Sequence, residues 1–208
     1  YRNIRVYGGG TIDNQGSLLA DQQTRTVGRM ARSHGLPVIR CDEVAIDDVT
    51  VTNPCTWNVH PLLCDGFTTY ACRLVSSGFG LSNADGWDPD SSSECYLLES
   101  VLDGQDDNVA VKSVVYPTPS GEKVLKPAEN IFVSHCHFVQ GGGLVVGAEV
   151  PAGVRNVWFT DCVVERCDRG FHVCSRPAGT RPVEGIHFRD IEVKRSGCWG
   201  INVTVWYW

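Results

Sequence analysis

Ile131-Phe132-Val133-Ser134-His135-Cys136-His137-Phe138 alternates apolar and polar side chains, misses a beat at Ser134-His135, and then resumes the alternation. A short strand, a bend carrying one extra residue, and a second short strand produce that pattern. The same template recurs along the chain, with apolar residues at a start position and two, five and seven positions later. Its copies are Val44, Ile46, Val49, Val51; Phe67, Thr69, Cys72, Leu74; Val157, Phe159, Cys162, Val164; and Ile186, Phe188, Ile191, Val193. A further copy reads Tyr96, Leu98, Val101, with Asp103 breaking its last position, and Tyr1-Arg2-Asn3-Ile4-Arg5-Val6 looks like a partial one.

About 13 residues after each start comes a third strand-like run. These runs are Trp57-Asn58-Val59, Gly80-Leu81-Ser82, Val109-Ala110-Val111, Leu144-Val145-Val146, Phe171-His172-Val173 and Gly200-Ile201-Asn202-Val203. Three short strands per copy, little helix signal and copies spaced by 23 to 35 residues describe a solenoid. The expected fold is all-β, a right-handed parallel β-helix running as one domain through residues 1–208. Insertions in such a stack go to loops on one side, so Tyr116-Pro117-Thr118-Pro119-Ser120-Gly121 is expected to wall a cleft. Residues 17–37, with Arg25, Arg29, Met30, Ala31 and Arg32, break the repeat and are read as a solvated loop rather than a short basic helix.

Ten cysteines would ordinarily suggest a disulfide framework and an oxidising compartment. Here Cys72, Cys136 and Cys162 share one inward template position, and Cys41 and Cys64 each stand three residues before a start. Stacked interior thiols acting as small hydrophobes fit that placement. The repeat leaves Cys55, Cys167, Cys174 and Cys198 undecided. No cysteine or histidine set has zinc spacing, so no metal is expected. A net charge of −6 lacks the basic face of a nucleic-acid binder, and no run reaches the length of a membrane span. No signal peptide is visible.

Chemistry concentrates between Asn83 and Lys112. The stretch opens Asn83-Ala84-Asp85-Gly86-Trp87-Asp88-Pro89-Asp90 and closes Gly104-Gln105-Asp106-Asp107-Asn108-Val109-Ala110-Val111-Lys112. Asp-Gly and Asp-Asp pairs are common in solvated turns. The solenoid changes their weight, because one coil of sequence becomes adjacency in space. Asp85, Asp106 and Asp107 are thus expected on neighbouring coils about 4.8 Å apart, at the turn that opens the third strand. Crowded carboxylates resist joint ionisation, so one keeps its proton at mild pH, as hydrolysis of an acetal requires.

These motifs resemble glycoside hydrolase family 28, the polygalacturonases and related pectin hydrolases. That family carries Asn-Thr-Asp-Gly, then Gly-Asp-Asp or Gln-Asp-Asp, then Gly-His-Gly, then Arg-Ile-Lys. Gly8-Gly9-Gly10-Thr11-Ile12-Asp13 and Trp57-Asn58-Val59-His60-Pro61 also resemble it, so the likeness covers nearly the whole chain. It implies an inverting hydrolase of pectic or related uronic-acid-containing polysaccharide. Asp106 would be the general acid, with Asp85 and Asp107 holding and deprotonating the attacking water. No cofactor is implied, and the protein is expected to act as a secreted or periplasmic monomer. Family members are longer, so these residues are expected to be the central coils of a longer chain.

Two departures stand out. The family histidine is replaced by Gly142 in Gly141-Gly142-Gly143, and Arg-Ile-Lys by His172-Val173-Cys174. The family's two cations grip a uronate carboxylate; here His172 keeps at most a titratable donor, and Arg169 or Arg176 stand nearby. Either the site accepts a different sugar, or it binds polysaccharide without cleaving it. Trp57 and His60 are candidates for a subsite floor, with a buried tryptophan as the plain alternative. Asn83 either orients Asp85 or stacks along the solenoid, and Lys112 faces the cleft or solvates its rim. A polysaccharide lyase on the same architecture commonly uses Arg or Lys as base, which positions 172 and 174 lack. Asn202-Val203-Thr204 matches a glycosylation sequon on an expected strand and is read as incidental.

Overall fold

The computed structural model describes residues 1–27, 32–117, 120–176 and 181–205. Arg29, Met30, Ala31, Thr118 and Pro119, named above, lie outside the described residues. The first strands of successive copies pair in parallel: Arg2–Tyr7, Asp42–Asp47, Asp65–Tyr70, Ser93–Leu98 and Ala128–Ser134, then the start of Val154–Cys174. Second strands do the same from Thr11–Asp13 through Thr50–Thr52, Arg73–Val75 and Val101–Asp103 to His137–Gly141. The architecture is the right-handed parallel β-helix expected from the repeat.

Each bend has a repeated backbone solution. Asp48, Ala71, Glu99, His135, Asp161 and Asp190 all adopt left-handed φ values between 49° and 55°. That conformation costs an L-residue free energy. Repeating it in every coil supplies the extra residue that turns the strand without breaking the inward alternation. Inside, the template positions form continuous ladders. Val44, Phe67, Cys95, Ile131 and Val157 make one, and Val51, Leu74, Leu102, Phe138 and Val164 another, all buried. Each buried Phe or Leu contributes about 1.5–3 kcal/mol.

Three expectations need correction. The copy read from Tyr96 starts one residue earlier: Cys95, Leu97 and Leu102 point inward with Ser100, while Tyr96 lies outside and stacks on Phe132 at 5.3 Å. A two-residue period fits either phase of Cys95-Tyr96-Leu97-Leu98. The mismatch at Asp103 was the mark of the wrong one. Gly80-Leu81-Ser82 is not a strand; Leu81 packs with Ala20, Cys55 and Ala84, and that coil joins the third-strand column through isolated parallel bridges at Trp87 and Asp90. Within residues 17–37, the solvated loop gives way to an α-helix, Gly16–Val27, followed by the strand Leu36–Ile39.

The helix begins where it does because Asn53, from another coil, caps it. The Asn53 backbone carbonyl accepts from Gly16 N (2.7 Å) and its side-chain Oδ1 from Ser17 N (2.8 Å). A Cβ at Gly16 would stand 2.2 Å from the Pro54 carbonyl oxygen, so only glycine fits. Cys41, Cys64, Cys72, Cys136 and Cys162 are buried and free, as are Cys55, Cys95, Cys167 and Cys174, while Cys198 is exposed. Interior thiols donate to backbone carbonyls, as Cys162 does to Thr160 O at 3.1 Å.

Candidate active site

The third strands form the face that carries the chemistry. Val59, Trp87, Val109, Leu144 and Phe171 are in register across five coils and point into the core. The turn two residues before each therefore lines up Trp57, Asp85, Asp107, Gly142 and Arg169. Backbone bonds lock the first three coils of that turn: Asn58 N donates to Asp85 O and Gly86 N to Asp107 O, both at 2.8 Å. One residue after the core column come His60, Asp88, Ala110, Val145 and His172, and beyond them Leu62, Asp90, Lys112, Gly147 and Cys174.

A cavity of about 400 Å³ opens over this face, lined among others by Asp85, Asp106, Asp107, Lys112, Asn83 and Trp57. The three expected catalytic carboxylates thus share one cleft. Lys112 ties the patch together: its Nζ donates to Asp85 Oδ2 at 2.8 Å and to Asp88 Oδ1 at 2.9 Å, and stands 4.0 Å from the Trp57 ring centroid. Burial works against the Lys112 ammonium, but Asp85 and Asp88 outweigh it and hold its pKa well above that of an ordinary lysine. Asp88 is fully buried, and burial, reinforced by Asp85 and opposed by Lys112, raises its pKa.

Asp106 and Asp107 are placed by backbone. Asp107 N donates to Asp106 Oδ1 at 3.0 Å, and the Asn83 amide bonds the same carboxylate. Asn83 itself takes a left-handed φ of 56°, with its carbonyl accepting from Thr56 Oγ1 at 3.0 Å. It serves Asp106 through its main chain. Burial, then Asp85, pushes the Asp106 pKa up. Asp107 is pushed up to about 8 by burial, Asp85 and Asp106, against the pull of Lys112 and Arg169. The cluster therefore retains a proton at mildly acidic pH, and that proton belongs to the group of carboxylates rather than to one of them.

Two expected substrate residues lie away from the cavity surface. His60 is buried behind Trp57, ring against ring at 4.9 Å, with Nε2 3.5 Å from Asp90 Oδ2. Asp90 is satisfied besides by Val114 N and the Tyr116 hydroxyl. His172 is buried in the floor beside Val145, its Nε2 without a partner, and burial followed by Arg169 lowers its pKa. Cys174 packs with Val145 and Ala148, its thiol pushed up to about 12 by burial, so it offers no charge.

Other groups escaped the sequence reading. Asp88 is one, and its spacing of two before Asp90 is the signal the sequence carries for it. His34 and Glu149 also line the cavity. His34 lies against His60 with ring centroids 4.6 Å apart and the rings tilted by 32°, and its pKa falls to about 4 through burial, His60 and Lys112. Nothing in the sequence around His34 marks it. Arg32, from the segment assigned to a loop, is buried at the cavity wall, donating to Cys55 O at 2.6 Å and Ser82 O at 2.8 Å. Arg176 pairs with Glu149 at 3.6 Å. Among the described residues no group of three or more His, Cys, Asp or Glu is arranged to hold a metal ion.

The chain is thus a parallel β-helix with a carboxylate-lined cleft on its third-strand face. The particular family follows from comparison: residues 1–208 match the family described as Glycosyl hydrolases family 28, and the chain belongs to it. It is 26% identical over 204 residues to the endo-polygalacturonase of Pectobacterium carotovorum subsp. carotovorum, covering 92% of this chain and 48% of that protein. Similarity extends to the exo-poly-alpha-D-galacturonosidase of Dickeya chrysanthemi, 25% identical over 194 residues, 92% of this chain and 31% of that one. Among solved structures, the polygalacturonase from Erwinia carotovora ssp. carotovora superposes with a TM-score of 0.81 at 23% identity, over 100% of this chain and 55% of that chain. The chain spans about half or less of the length of these curated relatives.

Proposed function

We propose that the protein containing this chain is an inverting glycoside hydrolase that cleaves glycosidic bonds in pectic or related uronic-acid-containing polysaccharide. The observation that carries this reading is the convergence of Asp85, Asp106 and Asp107 on one cleft, with burial and mutual repulsion keeping a proton among them. Asp106 donates that proton to the leaving glycosidic oxygen. Asp85 and Asp107, on adjacent coils, hold a water and accept its proton as it attacks the opposite face of the sugar. Inversion calls for acid and base about 6.5–9.5 Å apart, room for that water between them. Lys112 orients Asp85 through their hydrogen bond, while Trp57 covers the pair and offers an apolar edge to the sugar.

The site acts without a cofactor in this reading, on a substrate too large to enter a cell, so the protein works outside the cytoplasm. The endo- and exo-acting names of its relatives support the pectic substrate class. With His172 and Cys174 in place of the family's two cations, the sugar beside the scissile bond is held by other donors, and rhamnogalacturonan joins polygalacturonate as a candidate polymer. The test is reducing-sugar release by the full-length protein and its Asp106→Asn variant on both polymers. Release by the parent alone supports the hydrolase. Silence from both, with polymer binding intact, would replace it with a non-cleaving binding module.

A further inference from the structure

We propose that Arg169 is a positioning residue for the catalytic carboxylates, reaching across the side-chain gap at Gly142 to hold Asp107. The inference rests on the hydrolase reading above. Asp107, Gly142 and Arg169 occupy one column on three successive coils. Two coil steps separate the backbones of Asp107 and Arg169 by about 10 Å, which an arginine spans only if nothing fills the coil between. Nothing does. A Cβ at Gly142 would fall 2.2 Å from Asp107 Oδ1 and 2.9 Å from its Cα, so the carboxylate occupies the place of the missing side chain. Arg169 Nη1 meets it there, donating to Asp107 Oδ1 at 3.1 Å. Arg169 Nε is buried without a hydrogen-bond partner. A guanidinium placed to satisfy the fold would not leave that donor orphaned.

The groups that face Asp107 are Asp85 and Asp106, which oppose its ionisation, Lys112 and Arg169, which favour it, and the neutral Cys174 thiol. Lys112 is already shared between Asp85 and Asp88. Arg169 thus supplies the direct counter-charge that opposes burial and the neighbouring carboxylates at Asp107, easing release of its share of the retained proton so that it can take the water's. Replacing Arg169 by a neutral glutamine should hold the shared proton more firmly on Asp107, the carboxylate that burial already pushes up. The base would then be lost and the acid spent.

The test uses the full-length protein, with Arg169→Gln and Arg169→Lys, read by the pH profile of kcat/KM on the polymer that the parent cleaves and by carbon-detected titration of the Asp107 carboxyl. Arg169→Gln should lower kcat by about 10- to 100-fold, less than the about 10²–10⁴-fold of losing the acid or base itself, with KM changed less than about twofold. Its acidic limb and the Asp107 midpoint should both move up by about one pH unit. Arg169→Lys should recover part of each. An unmoved acidic limb and an unmoved Asp107 midpoint, with loss only of thermal stability, would make Arg169 a structural strut. A parent silent on every pectic polymer would sink the hydrolase reading instead. The Asp107 titration would then still decide the pair: unmoved by Arg169→Gln it removes Arg169 from the site, and moved it keeps Arg169 as the cation that holds Asp107.

Discussion

The two ends of the cleft floor are built differently on the same register. On the coils of Trp57, Asp85 and Asp107, every outward position but Ala110 carries a large or charged side chain, and Lys112 knits Trp57, Asp85 and Asp88 into one network. On the next two coils the equivalent positions are Gly142, Val145 and Gly147, then Arg169, His172 and Cys174. One end is held by charge pairing within its own coils. The other is held by small residues that let a neighbouring coil fill the space: Asp107 over Gly142, and Cys174 over Gly147, where a Cβ would strike the Cys174 carbonyl oxygen at 2.0 Å. In a stacked solenoid the absence of a side chain is thus a structural statement about the coil beside it.

If the charged end performs the chemistry, its most severe disruption is Asp106→Asn. Loss of a general acid should cut turnover by about 10²–10⁴-fold while the unfolding midpoint stays within a degree or two of the parent. Comparable losses from Val145→Ala on the glycine end would erase the distinction between the ends.

Next in size is Lys112→Met. Removing a cation from between two buried carboxylates leaves their charges uncompensated, at about 3–5 kcal/mol by urea unfolding near neutral pH. Combining it with Asp88→Asn should recover part of that cost, since one of the stranded charges is gone. A Lys112→Met protein as stable as the parent would mean that Asp88 is already protonated and that the network is not held by charge.

A third change concerns the phase of the coil that carries Cys95. The solenoid, its three strands per coil and the meeting of Asp85, Asp106 and Asp107 all followed from periodicity, because coil length converts directly into adjacency. Phase did not follow for the coil of Cys95, since cysteine and serine inside and tyrosine outside look apolar in the wrong order. The helix Gly16–Val27 was hidden for a different reason: its cap, Asn53, is supplied by another coil and leaves no local signal. Arg169 was named only as a nearby cation, because its reach depends on a glycine one coil away. Leu97→Ala should therefore cost about 2–5 kcal/mol, as core truncations do. Leu98→Ala, half-exposed on the outer face, should cost about 0.5 kcal/mol, as surface changes usually do. Equal costs would return the phase to the one first read.

The last effect is a slope rather than a loss, and it comes from the same carboxylates. Asp107 titrates at about 8 in the folded chain, above the value of about 3.9 for a free aspartate. Between those limits the folded protein holds a proton that the unfolded chain has released. Stability is then fully present below pH about 4 and falls as pH rises toward 8, because the folded state binds the extra proton. Asp106 and Asp88, also raised, act in the same direction. The urea midpoint of the parent should accordingly drop between pH 5 and pH 7.5, and Asp107→Asn, which has nothing to titrate, should drop less. Arg169→Gln should drop more, since it removes the charge that opposes the shift. If Asp107→Asn kept the whole slope, the retained proton would reside on Asp106 or Asp88 throughout, and the guanidinium above Gly142 would have no proton to direct.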